Sequence, residues 1–232
     1  MTASGKSDPE PFPWENQEAE IMVLRNRFGF LLALSLLMGI LVCFVPAAQA
    51  GAVDNTARQE IKSLVNQVLD ILKDPRYKGD AHKEERRQKL RSLVNKIFDF
   101  NNISRRVLGK YYRRFSKEQF EEFKQLFSKL LEKIYLTKIE HYSGEKVLFE
   151  EERMLSPQKV VVPTKIVKND KEIPVEYRMV RKNGKWIGYD VAIEGVSLVK
   201  NYRSQFYEIL QNKKPEDLLK IMREKVRKLP DK

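Results

Sequence analysis

The chain has 232 residues, with 44 Lys and Arg against 32 Asp and Glu, and a single cysteine. One cysteine excludes an intramolecular disulfide framework and a zinc site built from several thiolates. The formal net charge of +12 favours an anionic counterpart, such as nucleic acid, a membrane surface or an acidic protein.

The first 50 residues predict export from the cytoplasm. Arg25 and Arg27 precede an apolar run over residues 28–45, and an Ala-x-Ala motif follows at 48–50. Positive charge, apolar core and cleavage motif in this order are typical of a secretory signal peptide. The apolar run has 18 residues, so a retained membrane anchor is the alternative.

Residues 1–21 carry five acidic residues and one lysine, which is unusual for the start of a signal peptide. Our hypothesis is that translation starts at Met22. Cleavage after Ala50 would leave residues 51–232 as a single domain, remove Cys43 and raise the formal net charge to +14. In an exported protein, that charge favours anionic lipid head groups, membrane surfaces or acidic partner proteins.

Apolar residues at helical spacing predict helices in the first half and at the end of the chain. Ser116 and Gln119 form a capping box that opens a helix with an aromatic-rich face. Ser197 is predicted to cap a later helix, and Pro215 to begin the last one. The apolar stripes cover residues 61–72, 90–98, 120–135, 198–210 and 218–226.

Between these helices the period changes from 3.6 to 2, which predicts strands. The four candidates are Glu145–Arg153, Lys159–Val167, Ile173–Arg181 and Lys185–Ile193. Pro163 indicates an edge position or a bulge, because proline has no N–H for a ladder hydrogen bond. Helices, an antiparallel meander and more helices predict an α+β fold with the helices over one sheet face.

The last two strand candidates allow a register to be predicted. Both are apolar at odd-numbered positions, so the two apolar sets share a face only if the numbers of paired residues sum to an even value. A two-residue loop at Asn183-Gly184 gives an odd sum, whereas a three-residue loop at 182–184 pairs Arg181 with Lys185. The sequence therefore predicts the three-residue loop, with Val191 on the same face as Tyr177, Met179, Ile187 and Tyr189.

The chain offers little for catalysis or metal binding. Its two histidines, His82 and His141, lack companion ligands in sequence, and nothing brings Asp99 and Asp190 together as a carboxylate pair. The segment 195–197 resembles part of a nucleophile elbow, but the second glycine of that motif is replaced by valine at 199. We predict no catalytic residue and no metal site.

A basic cluster follows the second helical stripe. It has two interpretations, the solvated face of an amphipathic helix or a surface that docks a head group or a partner protein. An aromatic surplus accompanies it, and aromatic side chains fill cores but also form the stiff walls of binding pockets. The cluster comprises Arg105, Arg106, Lys110, Arg113 and Arg114.

Three motifs resemble a known family. They are V-L-G-x-Y-Y at 107–112, S-x-E-Q-x-x-x-F at 116–123 and W-x-x-Y-D-V-x-x-E-G-V-S-L at 186–198. From about Ala57 to Leu229 the chain resembles the MlaC family, periplasmic phospholipid-binding proteins of an outer-membrane lipid-asymmetry pathway, also described as toluene-tolerance auxiliary components.

The resemblance implies a roll of the NTF2/cystatin-like type, with helices and a four-stranded antiparallel sheet around a hydrophobic cavity. It also implies a monomeric carrier in the periplasm of a Gram-negative bacterium, with bound phospholipid as cargo and no cofactor. The expected partners are an outer-membrane lipoprotein–porin complex and an inner-membrane ABC transporter complex. The alternative is an enzyme or a small hydrophobic-ligand binder on the same fold.

Physical chemistry agrees with a closed lipid cavity. Each methylene exposed to water costs about 0.8 kcal/mol, so a lipid with some thirty of them costs on the order of 20 kcal/mol to carry unprotected. Gly195 then permits the sharp reversal between the last strand and the next helix. The candidates for contact with lipid are Phe100, Val107, Leu108, Tyr111, Phe123, Phe127, Tyr135, Tyr177, Met179, Ile187, Tyr189, Val191, Val196, Leu198 and Tyr202.

Overall fold

A computed structural model describes residues 56–140, 142, 144–168 and 171–229. Every described residue belongs to one compact unit, residues 54–232. The predicted signal peptide, its cleavage site and the start at Met22 lie outside the described residues. No helix in the described part is both long and apolar enough to cross a membrane.

Seven α-helices are described, in two groups that flank the strands in sequence. Short 3₁₀ turns lie at Pro75–Tyr77, Asp80–His82 and Gly109–Arg114, and a π-helical turn at Glu132–Leu136 joins two of the helices. The helices are α1 (Ala57–Lys73), α2 (Lys83–Ile97), α3 (Phe100–Leu108), α4 (Lys117–Leu131), α5 (Thr137–Glu140), α6 (Leu198–Asn212) and α7 (Pro215–Lys228).

The helix starts follow the capping residues of the sequence. The Ser116 hydroxyl accepts from the Gln119 N–H at 3.1 Å, and the Gln119 side-chain oxygen accepts from the Ser116 N–H. These two bonds confirm the capping box. The Ser197 hydroxyl accepts from the Lys200 N–H at 3.1 Å and caps α6 as predicted. Pro215 is the first residue of α7, where its missing N–H is not required.

The strands form one antiparallel sheet. It has six strands rather than four, in the order β1-β3-β4-β5-β6, and β2 also pairs with β3. Glu194 and Gly195, both with positive φ, make the tight turn into the last strand. The strands are β1 (Lys146–Phe149), β2 (Arg153–Ser156), β3 (Lys159–Lys168), β4 (Lys171–Lys182), β5 (Lys185–Ile193) and β6 (Val196–Ser197).

The first strand candidate is wrong as a single strand, because it is interrupted at 150–152. β1 and β2 pair with successive parts of β3, and Pro163 lies opposite the interruption. The Pro163 carbonyl accepts from the Glu150 N–H at 3.1 Å, while the ring nitrogen has no proton to donate. Pro163 thus lies in a central strand, at a point where the neighbouring ladder is broken.

The predicted three-residue hairpin loop is also wrong. Lys182 pairs with Lys185, and the two-residue turn has Asn183 and Gly184 at φ of 50° and 77°, as a type I′ turn requires. A bulge at Tyr189 then shifts the register, since Met179 pairs with Gly188 but residue 178 pairs with residue 190. Beyond the bulge the pairing sums become even, so Val191 lies opposite Tyr177 and shares its face, as predicted. The predicted pairing of Arg181 with Lys185 would instead have put Val191 opposite Val175.

The buried apolar side chains of the described residues form two clusters. The helical cluster is built from α3, α4, α6 and α7 and contains no strand residue. The sheet cluster joins Ala57 and Ile61 of α1 to Val160, Val162 and Met179 of the sheet. A domain of this size usually has one contiguous core, so the division of the interior into two clusters is unusual and bears on where a ligand could bind.

Phe98 links the helices to the free edge of β5. It forms an isolated parallel bridge with Gly188, and its ring packs on that glycine, where an added Cβ would lie 2.5 Å from a ring carbon. We expect Gly188→Ala to lower the free energy of unfolding by about 1–3 kcal/mol, the usual cost of overpacking, in urea titrations. Adding Phe98→Leu to Gly188→Ala should recover part of this loss, whereas Phe98→Leu alone should bring no gain in stability. An unchanged unfolding midpoint in Gly188→Ala would contradict the contact.

Candidate functional site

The sheet has one apolar face and one charged face. On the charged face, Lys165 pairs with Glu172 at 2.9 Å and Arg178 pairs with Asp190 at 3.2 Å. The register places the apolar residues of neighbouring strands opposite one another on the other face. This apolar face comprises Val147, Phe149, Val160, Val162, Ile166, Ile173, Val175, Tyr177, Met179, Val191 and Ile193.

Helix α1 covers only part of the apolar face. Val160, Val162 and Met179 have no accessible surface and pack with α1 in the sheet cluster. Val191 and Ile193, further along β5, are only half-buried. Apolar side chains that keep accessible surface on a sheet face are available to contact an apolar ligand.

Tyr177 lies at the boundary between the covered and uncovered parts of the apolar face. Burial raises the pKa of its hydroxyl, yet the side chain keeps intermediate accessibility. Both properties fit a ring that faces an internal space rather than bulk solvent. Tyr177 pairs with Val162 on one side and Val191 on the other, so this space would be walled by β3, β4 and β5.

A second pair of tyrosines lies beside the helical cluster. Burial raises the pKa of both Tyr135 and Tyr202, and the Tyr135 hydroxyl contributes further to the raised pKa of Tyr202. Tyr135 belongs to the π-helical turn after α4, a feature that often occurs at functional sites. Tyr202 packs edge-to-face on Phe127 at 5.1 Å. The hydroxyl pair puts polar atoms within a mostly apolar interior.

The predicted lipid contacts divide by location. Tyr177 and Val191 lie on the apolar face, and Met179 lies there beneath α1. Phe100, Tyr111, Tyr135 and Leu198 are half-buried. Their contact with a ligand stays a prediction, as it does for the buried members of the helical cluster, which are Val107, Leu108, Phe123, Phe127 and Tyr202.

Two of the predicted residues, Ile187 and Tyr189, do not lie on the face of Tyr177 where the sequence analysis placed them. Ile187 pairs with Val180 before the bulge and therefore lies on the face opposite Tyr177. Tyr189 is the bulge residue, and its ring lies under the Arg106 guanidinium at 4.6 Å. Val196, in the edge strand β6, pairs with Ile193 of the apolar face and is 41% exposed, and its contact with a ligand stays a prediction. Register alternation on β3 adds Val162, which the sequence alone did not assign to the apolar face, and Val175 lies on that face as its odd number predicted, although it was not among the predicted lipid contacts.

The open grooves of the surface involve other residues. One of about 410 Å³ lies between α1 and α2, and one of about 730 Å³ is lined by residues of α2, α4 and α7. Both are lined mainly by charged side chains and contain none of the predicted lipid contacts. In the described part of the chain, no three His, Cys, Asp or Glu side chains are grouped to hold a metal ion. The Asp99 carboxylate accepts from the Asn102 N–H and so caps α3, which is a structural role rather than acid–base chemistry.

The MlaC family model matches residues 62–224, which is more than half of the chain. The chain belongs to the MlaC family. This confirms the resemblance that the three motifs carried, and the mixed helical and antiparallel architecture confirms the predicted α+β fold class.

Curated relatives within the MlaC family are distant. The chain is 28% identical over 124 residues to "Intermembrane phospholipid transport system binding protein MlaC" of Haemophilus influenzae, covering 51% of this chain and 58% of that protein. It is 24% identical over 115 residues to "Toluene tolerance protein ttg2D" of Pseudomonas putida, covering 49% and 54%. The chain thus matches a little over half the length of each of these relatives.

A solved structure has the same fold. It is the phospholipid-binding protein of Ralstonia solanacearum, determined in complex with a phospholipid, and it is similar with a TM-score of 0.66. The similarity covers 75% of this chain and 98% of the other at 24% sequence identity. At this identity the likeness establishes the fold.

The basic cluster next to the first MlaC motif separates into two groups. Arg106 is half-buried and has no carboxylate partner in the described part of the chain. Its Nε donates to the Asn102 side chain at 3.2 Å, and its guanidinium lies over the Tyr189 ring of β5. Arg114 donates to the carbonyls of Leu210 and Lys213 at 2.6 and 2.8 Å, which satisfies the C-terminal end of α6. These two arginines hold α3 and its 3₁₀ turn against other elements, whereas Arg105, Lys110 and Arg113 are exposed.

Proposed function

We propose that this chain is a phospholipid carrier of the periplasm that encloses acyl chains against the uncovered part of the apolar face. The single observation that supports this most is the division of the apolar interior. The helical cluster contains no strand residue, and beyond the reach of α1 the apolar face keeps accessible surface at Val191 and Ile193. Acyl chains between the two clusters would complete one continuous core.

The family and the names of the relatives support the same proposal. One relative is named as a binding protein of an intermembrane phospholipid transport system, and the structural neighbour holds a phospholipid. We further propose that this chain is not an enzyme, and that it exchanges lipid with an outer-membrane lipoprotein–porin complex and an inner-membrane ABC transporter complex. The signal-like N-terminal segment supports the periplasmic location.

We expect the protein, purified from native periplasm without detergent, to carry glycerophospholipid. Organic extraction followed by lipid mass spectrometry should recover it in a reproducible molar ratio to protein. A carrier must shield the chains from water, so the lipid should survive dilution and gel filtration. Lipid-free protein would contradict the proposal, and extraction of a small apolar metabolite instead would favour the alternative of a small hydrophobic-ligand binder.

A further inference from the structure

One surface of the protein carries cations that have no acidic partner. Arg105, Lys110 and Arg113 are exposed, and no carboxylate among the described residues lies within ion-pair distance of any of them. Elsewhere the arginines are mostly paired. The pairs are Arg76 with Asp74, Arg86 and Arg87 with Glu140, Arg91 with Glu132, Arg153 with Glu176, Arg178 with Asp190 and Arg223 with Glu122.

Tyrosine rings lie among these cations. The Arg105 guanidinium lies over the Tyr112 ring at 4.9 Å, and the Lys110 ammonium lies over Tyr111 at 5.1 Å and Tyr207 at 5.6 Å. All three tyrosines are half-buried. We call this area the basic tyrosine surface, defined by Arg105, Lys110, Arg113, Tyr111, Tyr112 and Tyr207.

The basic tyrosine surface is held in place by the fold. The Lys110 N–H donates to the Tyr207 hydroxyl at 3.0 Å, and Arg114 bonds to the end of α6. Gly109, with φ of 50°, lets the chain approach Tyr207 so closely that an added Cβ would lie 2.0 Å from its hydroxyl oxygen. The cations are therefore presented by a fixed segment, which lowers the entropy lost on binding.

The acidic residues at nearby helix starts are already engaged. Glu118 accepts from the Ser116 hydroxyl at 2.9 Å, and Asp217 accepts from the Lys214 N–H at 2.9 Å. Glu216 accepts from the Gln119 side chain. These carboxylates bond to the starts of α4 and α7, and none of them forms an ion pair with Arg105, Lys110 or Arg113.

We propose that the basic tyrosine surface binds an anionic phospholipid bilayer directly. Tyrosine places an apolar ring and a polar tip at the level of the head groups, and Lys and Arg stems can lie along apolar surface while their charges meet phosphate. An acidic protein would be recognised by charge, but it would not require tyrosines between the cations. The inference rests on the proposed function in one respect, namely that a lipid carrier has to contact a membrane.

Vesicle flotation tests this with the purified protein in its lipid-loaded state. The vesicles contain either phosphatidylcholine alone or phosphatidylcholine with phosphatidylglycerol, at low and at physiological salt. Each cation near an anionic surface contributes roughly fivefold to partitioning, so the triple variant Arg105→Gln, Lys110→Gln, Arg113→Gln should lose on the order of a hundredfold. The matched control Lys62→Gln, Lys185→Gln, Lys220→Gln removes the same charge from exposed positions elsewhere and should lose far less.

The outcomes separate this inference from the proposed function. Binding only to phosphatidylglycerol vesicles, weakened by salt and lost in the triple variant alone, supports it. Equal losses in the triple variant and its control would overturn it, because net charge would then explain the binding. Absence of vesicle binding would also overturn it and leave an acidic protein as the occupant. Lipid extracted from the triple variant should equal that of the wild type, whereas lipid-free wild type that still binds vesicles would refute only the proposed function.

Discussion

Val191→Glu is expected to abolish phospholipid binding while the protein stays folded. Val191 lies opposite Tyr177 on the apolar face, and it is half-buried where α1 does not reach. A carboxylate there would meet acyl chains, and an unpaired charge in an apolar site costs several kcal/mol. Without lipid, water can enter and solvate the carboxylate, so the cost falls on binding. Lipid content after purification and the thermal midpoint measure the two effects separately.

Met179→Glu is the matched control for this prediction. Met179 is on the same face but fully buried beneath Ala57 and Ile61, so water cannot solvate a carboxylate there. Its cost should fall on folding, by several kcal/mol and sufficient to unfold the protein. A Val191→Glu protein that melts far below wild type yet keeps its lipid would show that Val191 belongs to the core, and would refute the site.

Local signals in the sequence were sufficient to predict three helix starts. The Ser116 capping box, the Ser197 cap and the Pro215 start depend on residues within one helical turn, and the structure confirms all three. The strand periods also located β3, β4 and β5 to within two residues. Interactions between residues three or four positions apart can be recognised in the sequence itself.

The hairpin between β4 and β5 shows where local signals failed. Asn183-Gly184 is a strong signal for a two-residue turn, but that turn would put the apolar residues of the two strands on opposite faces. A three-residue loop was therefore predicted, because it would put them on the same face. The protein resolves this conflict with a bulge at Tyr189. The bulge lies next to Gly188, which receives the Phe98 ring, and beneath Arg106 of α3. A contact between residues about 90 positions apart cannot be read from either segment alone.

The candidate site was predicted by residue type better than by position. Val162 and Val191 have the same character as Val107, which is fully buried among helices. Whether an apolar side chain fills the core or faces a ligand depends on which part of the sheet α1 covers, and the sequence of the strand carries no sign of that. The same holds for the basic cluster, where the bonds of Arg114 to α6 arise only from tertiary packing.

Asp190→Ala is expected to cause one of the largest losses of stability in the molecule. The carboxylate of Asp190 is buried and accepts three hydrogen bonds, from the Ser197 hydroxyl at 2.5 Å, the Val199 N–H at 3.0 Å and Arg178 at 3.2 Å. Val199 is in the first turn of α6, where backbone N–H groups have no partner within the helix. Asp190 thus fastens the sheet to the helix that begins the C-terminal part of the helical cluster.

Alanine at position 190 would leave the Val199 N–H and the Arg178 guanidinium without this partner. Removing one member of a buried charged pair costs about 3–5 kcal/mol, so the free energy of unfolding should fall by that amount in urea titrations. Asp190→Asn should lose less, since its amide oxygen can still accept from the Val199 N–H, although the negative charge facing Arg178 is gone. Glu208→Ala, which removes an exposed carboxylate from α6, should change stability by no more than about 0.5 kcal/mol. Similar losses in Asp190→Ala and Glu208→Ala would mean that the carboxylate does not fasten the sheet to α6.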